Sequence, residues 1–278
     1  MQCSALFPSP TCVFGRCGRP AFPGPGFPGG VSKVIALSVL DDASGCDLNG
    51  DGRPDNRLSQ LQSFIDVNAR LRSQIVADKI TILLQPSSGG SLATPGTGLS
   101  LLFGTLAPAS AHCAPDSPDA VCLYNISTLS FDPVTDADTC AAFVTFAQSD
   151  VTSRDLHVEV GPRSVAVALP IDASSWLIQL IGARLSLDLA PGDPAGPGLG
   201  LAMKGKLCGA VPQADLLAAI DTMPADLVAG VGGADNARRL IKLLLPPDLD
   251  GDGDGVPESV SGALGLVAAP ARIAGYSP

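Results

Sequence analysis

The stretch ARLSLDL, residues 183–189, alternates without a break: Leu185, Leu187 and Leu189 fall on one side, Arg184, Ser186 and Asp188 on the other. A period of two is the pattern of a strand with one buried and one wetted face, as antiparallel sheets present. Just beyond it, PGDPAGPG (191–198) reads as a turn and LGLAMKGKL (199–207) as the hairpin partner. On the other side, LSLLFGTL (99–106), VCLYNISTLSF (121–131), AAFVTFA (141–147), LHVEV (156–160) and SVAVAL (164–169) are short apolar runs between turn signals. Many short strands at regular spacing predict a mainly β fold, an antiparallel β-sandwich. VSKVIALSVL (31–40) and KITILLQ (79–85) add two more apolar runs, each read as a strand.

A few short helices are expected at the periphery. Leu58, Leu61, Ile65, Leu71 and Ile75 recur at helical spacing and predict an amphipathic helix from about 56 to 77. PQADLLAAIDTMPADLVAGV (212–231) and ADNARRLIKLLL (234–245) fit short helices near the end. Residues 1–30 are set apart by three cysteines and the Pro/Gly-rich RPAFPGPGFPGG. They read as an extended, disulfide-tethered arm, and residues 31–278 as a single domain.

Composition narrows the function classes. Of 278 residues, 46% are hydrophobic and the formal net charge is −10. That charge excludes a basic footprint for nucleic acid and offers nothing to an anionic membrane surface. No run of about 18 apolar residues suggests a membrane-spanning helix. The eight cysteines include no CxxC pair, and only two histidines, His112 and His157, accompany them. A disulfide framework in an oxidising compartment is therefore expected rather than a zinc site. Cys113 and Cys122 bracket the turn-rich CAPDSPDAVC and are the first pair expected to join. Export would place the protein in the extracellular space or on the cell surface. The opening MQCSALFPSPTCVFGRCGRP has no charged and apolar leader pattern, so export predicts a processed chain or a start lying upstream.

The acidic residues are not spread evenly: residues 41–55 and 248–258 hold ten of the 27 carboxylates. Aligned, DLNGDGRPD (47–55) and DGDGDGVPE (250–258) carry acidic or amide residues at positions 1, 3, 5 and 9, glycine at 4 and 6, and proline at 8. Each is followed by an apolar segment, RLSQLQSF or VSGALGLV, and both are expected to be exit helices. Like charges so close together call for a cation between them. Ca2+ takes six to eight oxygens at about 2.3–2.6 Å, and alternate oxygens on a tight loop supply them. Glycine at position 6 permits the sharp turn.

These loops resemble the calcium loops of EF-hands, dockerins and thrombospondin type 3 repeats. The resemblance implies Asp47, Asn49, Asp51, the Arg53 carbonyl and Asp55 as one calcium ligand set. It implies Asp250, Asp252, Asp254, the Val256 carbonyl and Glu258 as the other. The EF-hand glutamate of position 12 is missing, since Leu58 and Ser261 stand there. Asp41, Asp42 and Asp248 lie near enough to be considered as substitutes. Over a longer span, residues 47–85, 206–217 and 250–265 resemble a group of exported myxobacterial-type proteins without an assigned activity. That resemblance implies secretion and calcium but no reaction.

No nucleophile elbow and no phosphate-binding loop occur, and His112 and His157 suggest no catalytic constellation. Trp176 fits core packing better than a sugar platform. The expected protein is non-enzymatic: a secreted, calcium-binding structural or adhesive component of the cell surface or matrix. Its expected partners are further copies of itself, in an oligomer or filament built through the arm. The alternative is a calcium-dependent carbohydrate-binding module with glycans as partners.

Overall fold

A computed structural model describes residues 11–13, 16–18, 31–63, 66–86, 92, 97–118, 121–127, 130, 144–147, 151–171, 174–190, 200–221, 228–251 and 253–277. The protein is mainly β. Near the start, β1 (Thr11–Val13) and β2 (Arg16–Gly18) form an antiparallel ribbon with Cys12 opposite Cys17. The rest of the expected arm lies outside the described residues.

All other strands join one ten-stranded sheet. They are β3 (Val31–Val39), β4 (Ile82–Pro86), β5 (Leu99–Leu106), β6 (Leu123–Ser127), β7 (Val144–Phe146), β8 (Val151–Arg154), β9 (His157–Ile171), β10 (Ser174–Leu189), β11 (Met203–Pro212) and β12 (Ser259–Ser277). Their order is β3-β4-β5-β6-β12-β11-β10-β9-β8, with β7 on β5. The expected hairpin is present: Ser186 faces Lys206 and Leu187 faces Gly205 across β10 and β11. The two runs 156–160 and 164–169 fuse into the single strand β9.

The sheet is mixed, which corrects the expectation of purely antiparallel pairing. Strand β12 pairs antiparallel with β11 and β3 and then parallel with β6, from Arg272 opposite Leu123 to Ser277 opposite Ser127. The cause is arithmetic. The pairings β3–β4, β4–β5, β5–β6, β6–β12 and β12–β3 close a circuit of five strands. An odd circuit cannot alternate direction all the way round, so one neighbouring pair must run parallel. The closed circuit turns the sheet back on itself, consistent with the layering expected of a sandwich.

Alternation decides which face is inside. Leu185, Leu187, Leu189, Leu207, Leu264, Leu266, Leu37 and Val39 are buried in one core cluster. Helix α1 (Val67–Val76) covers it with Leu71 and Ile75. Helices α2 (Gln213–Asp221) and α3 (Ala234–Leu244) add Leu216, Ile220 and Ile241. The single helix expected over 56–77 is broken into a 3-10 helix, Arg57–Ser63, and α1. Asp66 starts the second piece, because its side chain accepts the Ala69 N–H at 2.9 Å.

Two disulfides are present among the described residues. Cys113–Cys122 is the local pair expected from sequence; Cys46–Cys208 joins positions 162 residues apart. Lys33 is a buried cation, 1% exposed. Its Nζ donates to the Pro115 carbonyl at 2.7 Å and lies 5.2 Å from the centre of the Tyr124 ring. Burial lowers its pKa to about 8, against the opposing pull of Asp78 and Asp116.

Candidate functional site

The two acidic loops sit where the sheet begins and ends its outer connections: the first follows β3, the second precedes β12. Their hydrogen bonds match position by position. In the first loop, Asp47 accepts from Gly50 N at 2.6 Å and from Gly52 N at 3.0 Å. In the second, Asp250 accepts from Gly253 N and Gly255 N, both at 2.7 Å. Position 5 accepts from the N–H of position 7 in both, Asp51 from Arg53 and Asp254 from Val256, each at 2.8 Å. Position 9 accepts from the N–H of position 2 in both: Asp55 from Leu48 at 3.1 Å, Glu258 from Gly251 at 2.7 Å. The position 9 N–H then closes each loop onto the carbonyl just before it, Asp55 onto Cys46 and Glu258 onto Leu249. Asn49 accepts from Asp51 N at 2.9 Å. Its counterpart Asp252 lies outside the described residues.

The backbone follows the same repeat. Gly50 and Gly52 have φ of 80° and 82°, Gly253 and Gly255 of 80° and 87°. Other residues rarely hold that left-handed region, so glycine at positions 4 and 6 is what lets each loop turn its N–H groups inward.

The donor chemistry of both loops is entirely oxygen, which suits a hard cation. The inward carboxylates are engaged with backbone N–H groups. Among the described residues no three His, Cys, Asp or Glu side chains converge closely enough to hold a metal ion. Arg53 and Val256, whose carbonyls stand at position 7, are both exposed. Two of the suggested substitute ligands have other work. Asp42 accepts the Asn56 N–H at 3.1 Å, and Asp248 accepts both the N–H and hydroxyl of Ser261.

The exits are not alike, which corrects the expected pair of exit helices. The first loop runs into the 3-10 helix, but the second runs straight into β12. The segment VSGALGLV is apolar with small residues between, a pattern that fits a buried strand as well as a helix. Strand β11 pairs along its whole length on one edge; on the other, β3 pairs from Leu264 onward, and the side chains of Asp248 and Asn56 take the Ser261 and Ala263 N–H groups.

Sequence reading missed a polar cluster on the exposed sheet face. His157 and Glu159 on β9 stand opposite Asp188 and Ser186 on β10. His157 Nδ1 lies 2.8 Å from Asp188 Oδ1, and Nε2 lies 2.7 Å from Glu159 Oε1. Ser186 Oγ is 3.5 Å from Nε2. The order of groups resembles a nucleophile, base and acid, but a carboxylate against each ring nitrogen favours the doubly protonated ring. The hydrogen bonds from Asp188 and Glu159 accordingly raise the His157 pKa. In that protonated form the ring has no lone pair with which to activate Ser186. The cluster was legible only through the hairpin register, because 157 and 188 are 31 residues apart.

Beside it runs an open groove of about 630 Å³, lined by Ser38, Ser186, Asp188, Lys204 and Val267 and reaching Ser44 just ahead of the first loop. Lys206 crosses its end and donates to the Gly45 carbonyl at 2.9 Å. The side chain of Trp176 lies outside the described residues. Among the described residues no helix is long and apolar enough to cross a membrane. No protein-family model, no curated protein and no solved structure matches this chain.

Proposed function

We propose that this chain is an exported, calcium-binding structural protein of the bacterial cell surface or extracellular matrix, self-associating through residues 1–30. The supporting observation is the match of the two loops in the hydrogen bonds of positions 1, 5 and 9 and in the glycine conformation of positions 4 and 6. Two loops of different flanking structure share one arrangement of carboxylate and amide oxygens, a donor set that suits a hard cation. The residues that would hold Ca2+ are Asp47, Asn49, Asp51, Asp55 and the Arg53 carbonyl, and Asp250, Asp252, Asp254, Glu258 and the Val256 carbonyl. Bound Ca2+ would neutralise charge and tie each loop shut; it would carry no chemistry. The disulfides support an oxidising compartment.

Calorimetry with Ca2+ tests the reading, together with melting in Ca2+ and in EDTA. The expected outcome is saturable heat and a higher melting temperature in Ca2+. A ligand at a hundred times its Kd adds about 2.7 kcal/mol to the folded state. No heat and superimposable melting curves would refute it. A second reading, a calcium-dependent carbohydrate-binding module, is favoured by the groove that reaches Ser44. Glycan-array binding that disappears in EDTA would select it over the structural role.

A further inference from the structure

The loops end in different elements, yet their exits meet. At position 12, where an EF-type loop closes on its own ion with a glutamate, these loops carry Leu58 and Ser261. Leu58 is buried and packs on Gly262, where an added Cβ would come within 2.7 Å of Leu58 Cδ1. Ser261 is fully buried. Its hydroxyl donates to Asp248 Oδ2 at 2.6 Å and accepts from Arg57 N at 2.9 Å, while its N–H donates to Asp248 Oδ1 at 2.7 Å. Asn56, also fully buried, brackets Ala263 on the same strand. Its Oδ1 accepts from Ala263 N at 2.8 Å, and its Nδ2 donates to the carbonyls of Ala263 at 3.3 Å and Leu40 at 2.6 Å.

The positions in the chain matter. Asn56 and Arg57 are the first two residues after Asp55, the last carboxylate of the first loop. Asp248 and Ser261 stand on either side of the second loop. The two loops therefore share one hydrogen-bond network, built on the buried side chains of Asn56 and Ser261.

We propose that the two loops form one cooperative unit, coupled through Asn56, Ser261 and Asp248. Ordering the first loop fixes Asp55 and, one residue on, the Asn56 and Arg57 groups that hold β12. That fixes Asp248 and Ser261, the entry and exit of the second loop. A second ligand then meets a loop whose ends are already ordered, and binds more tightly for that reason. The calcium part of this inference rests on the calcium reading above; the coupling itself does not.

Two measurements on the full chain separate them. The first is metal-free amide exchange by NMR at Gly253, Gly255 and Val256. Asp47→Ala, which disrupts the first loop, is expected to speed exchange at these second-loop amides on the order of tenfold. Asp66→Ala, which removes the helix cap of α1 outside the network, is expected to leave them unchanged. The second is Ca2+ calorimetry of the wild type and Ser261→Ala. Two ions with positive cooperativity are expected for the wild type, and two independent ions for the variant. If Asp47→Ala leaves the second loop untouched, or acts no more strongly than Asp66→Ala, the coupling is overturned. Two independent ions in the wild type would overturn it too, with the calcium reading intact. If no Ca2+ binds, that reading fails and the exchange experiment still decides the coupling.

Discussion

The first and second loops have one local structure and two different anchorages. The first is pinned from outside: Cys46, the residue before Asp47, is bonded to Cys208 on β11, and Lys206 on the same strand holds the Gly45 carbonyl. The second has no such cross-link among the described residues. It is continuous with β12, and the backbone N–H of Gln213, the first residue of α2, donates to the Glu258 carbonyl. Local residue order settles how the chain turns inside the loop. What holds the loop in place depends on what happens to pass beside it.

That contrast can be broken most forcefully at the disulfide. Replacing Cys46 and Cys208 together by Ala is expected to cost about 5 kcal/mol, because the bridge closes a very long loop in the unfolded chain. Denaturant unfolding measures it. The loss should be accompanied by faster amide exchange at Gly50 and Gly52, with a smaller change at Gly253 and Gly255. Equal changes in both loops would mean that the bridge stabilises the whole sheet and not the first loop in particular.

A smaller effect tests the likeness instead. Gly52→Ala and Gly255→Ala place a Cβ at φ of 82° and 87°, with nothing within 4 Å of either. Only the left-handed backbone is then at issue, at about 1–2 kcal/mol each. The two should cost the same within error. A clear inequality would show that the loops differ in strain despite their shared hydrogen bonds.

The smallest effect is a control from the sheet face. His157 has a raised pKa in the folded chain, so the contribution it makes is fully present below the unfolded value of about 6.5. It fades as pH rises through the higher folded value. Melting temperature should therefore fall slightly as pH rises past about 6.5, and His157→Gln should flatten that fall. His157 is exposed on the sheet face, so the effect is small. Amide exchange in the loops should not follow it.

Much of the fold was readable from residues alone. The alternation at 183–189 marked β10, and the turn after it led to the β10–β11 hairpin. The spacing of Cys113 and Cys122 marked a closed local loop. The breaks came where one pattern served two structures. VSGALGLV has an apolar content that a helix would also accept, and only its two neighbouring strands decide for β. The periodicity from Leu58 to Ile75 was real, but Asp66 interrupts it with a cap of its own. The Trp176 side chain and Asp252 stay outside what the structure describes.

By itself, the sequence determined the two loops: alternate oxygens, glycines at positions 4 and 6, and a closing residue at 9. Their conformation is dictated by contacts within nine residues, and such contacts need no partner from elsewhere. Only the tertiary structure decided that their exits lock together through Asn56 and Ser261, and that Cys46 reaches Cys208. Those contacts span more than 150 residues, and chain order carries no trace of them until the sheet folds and brings β11, β12 and the first loop side by side.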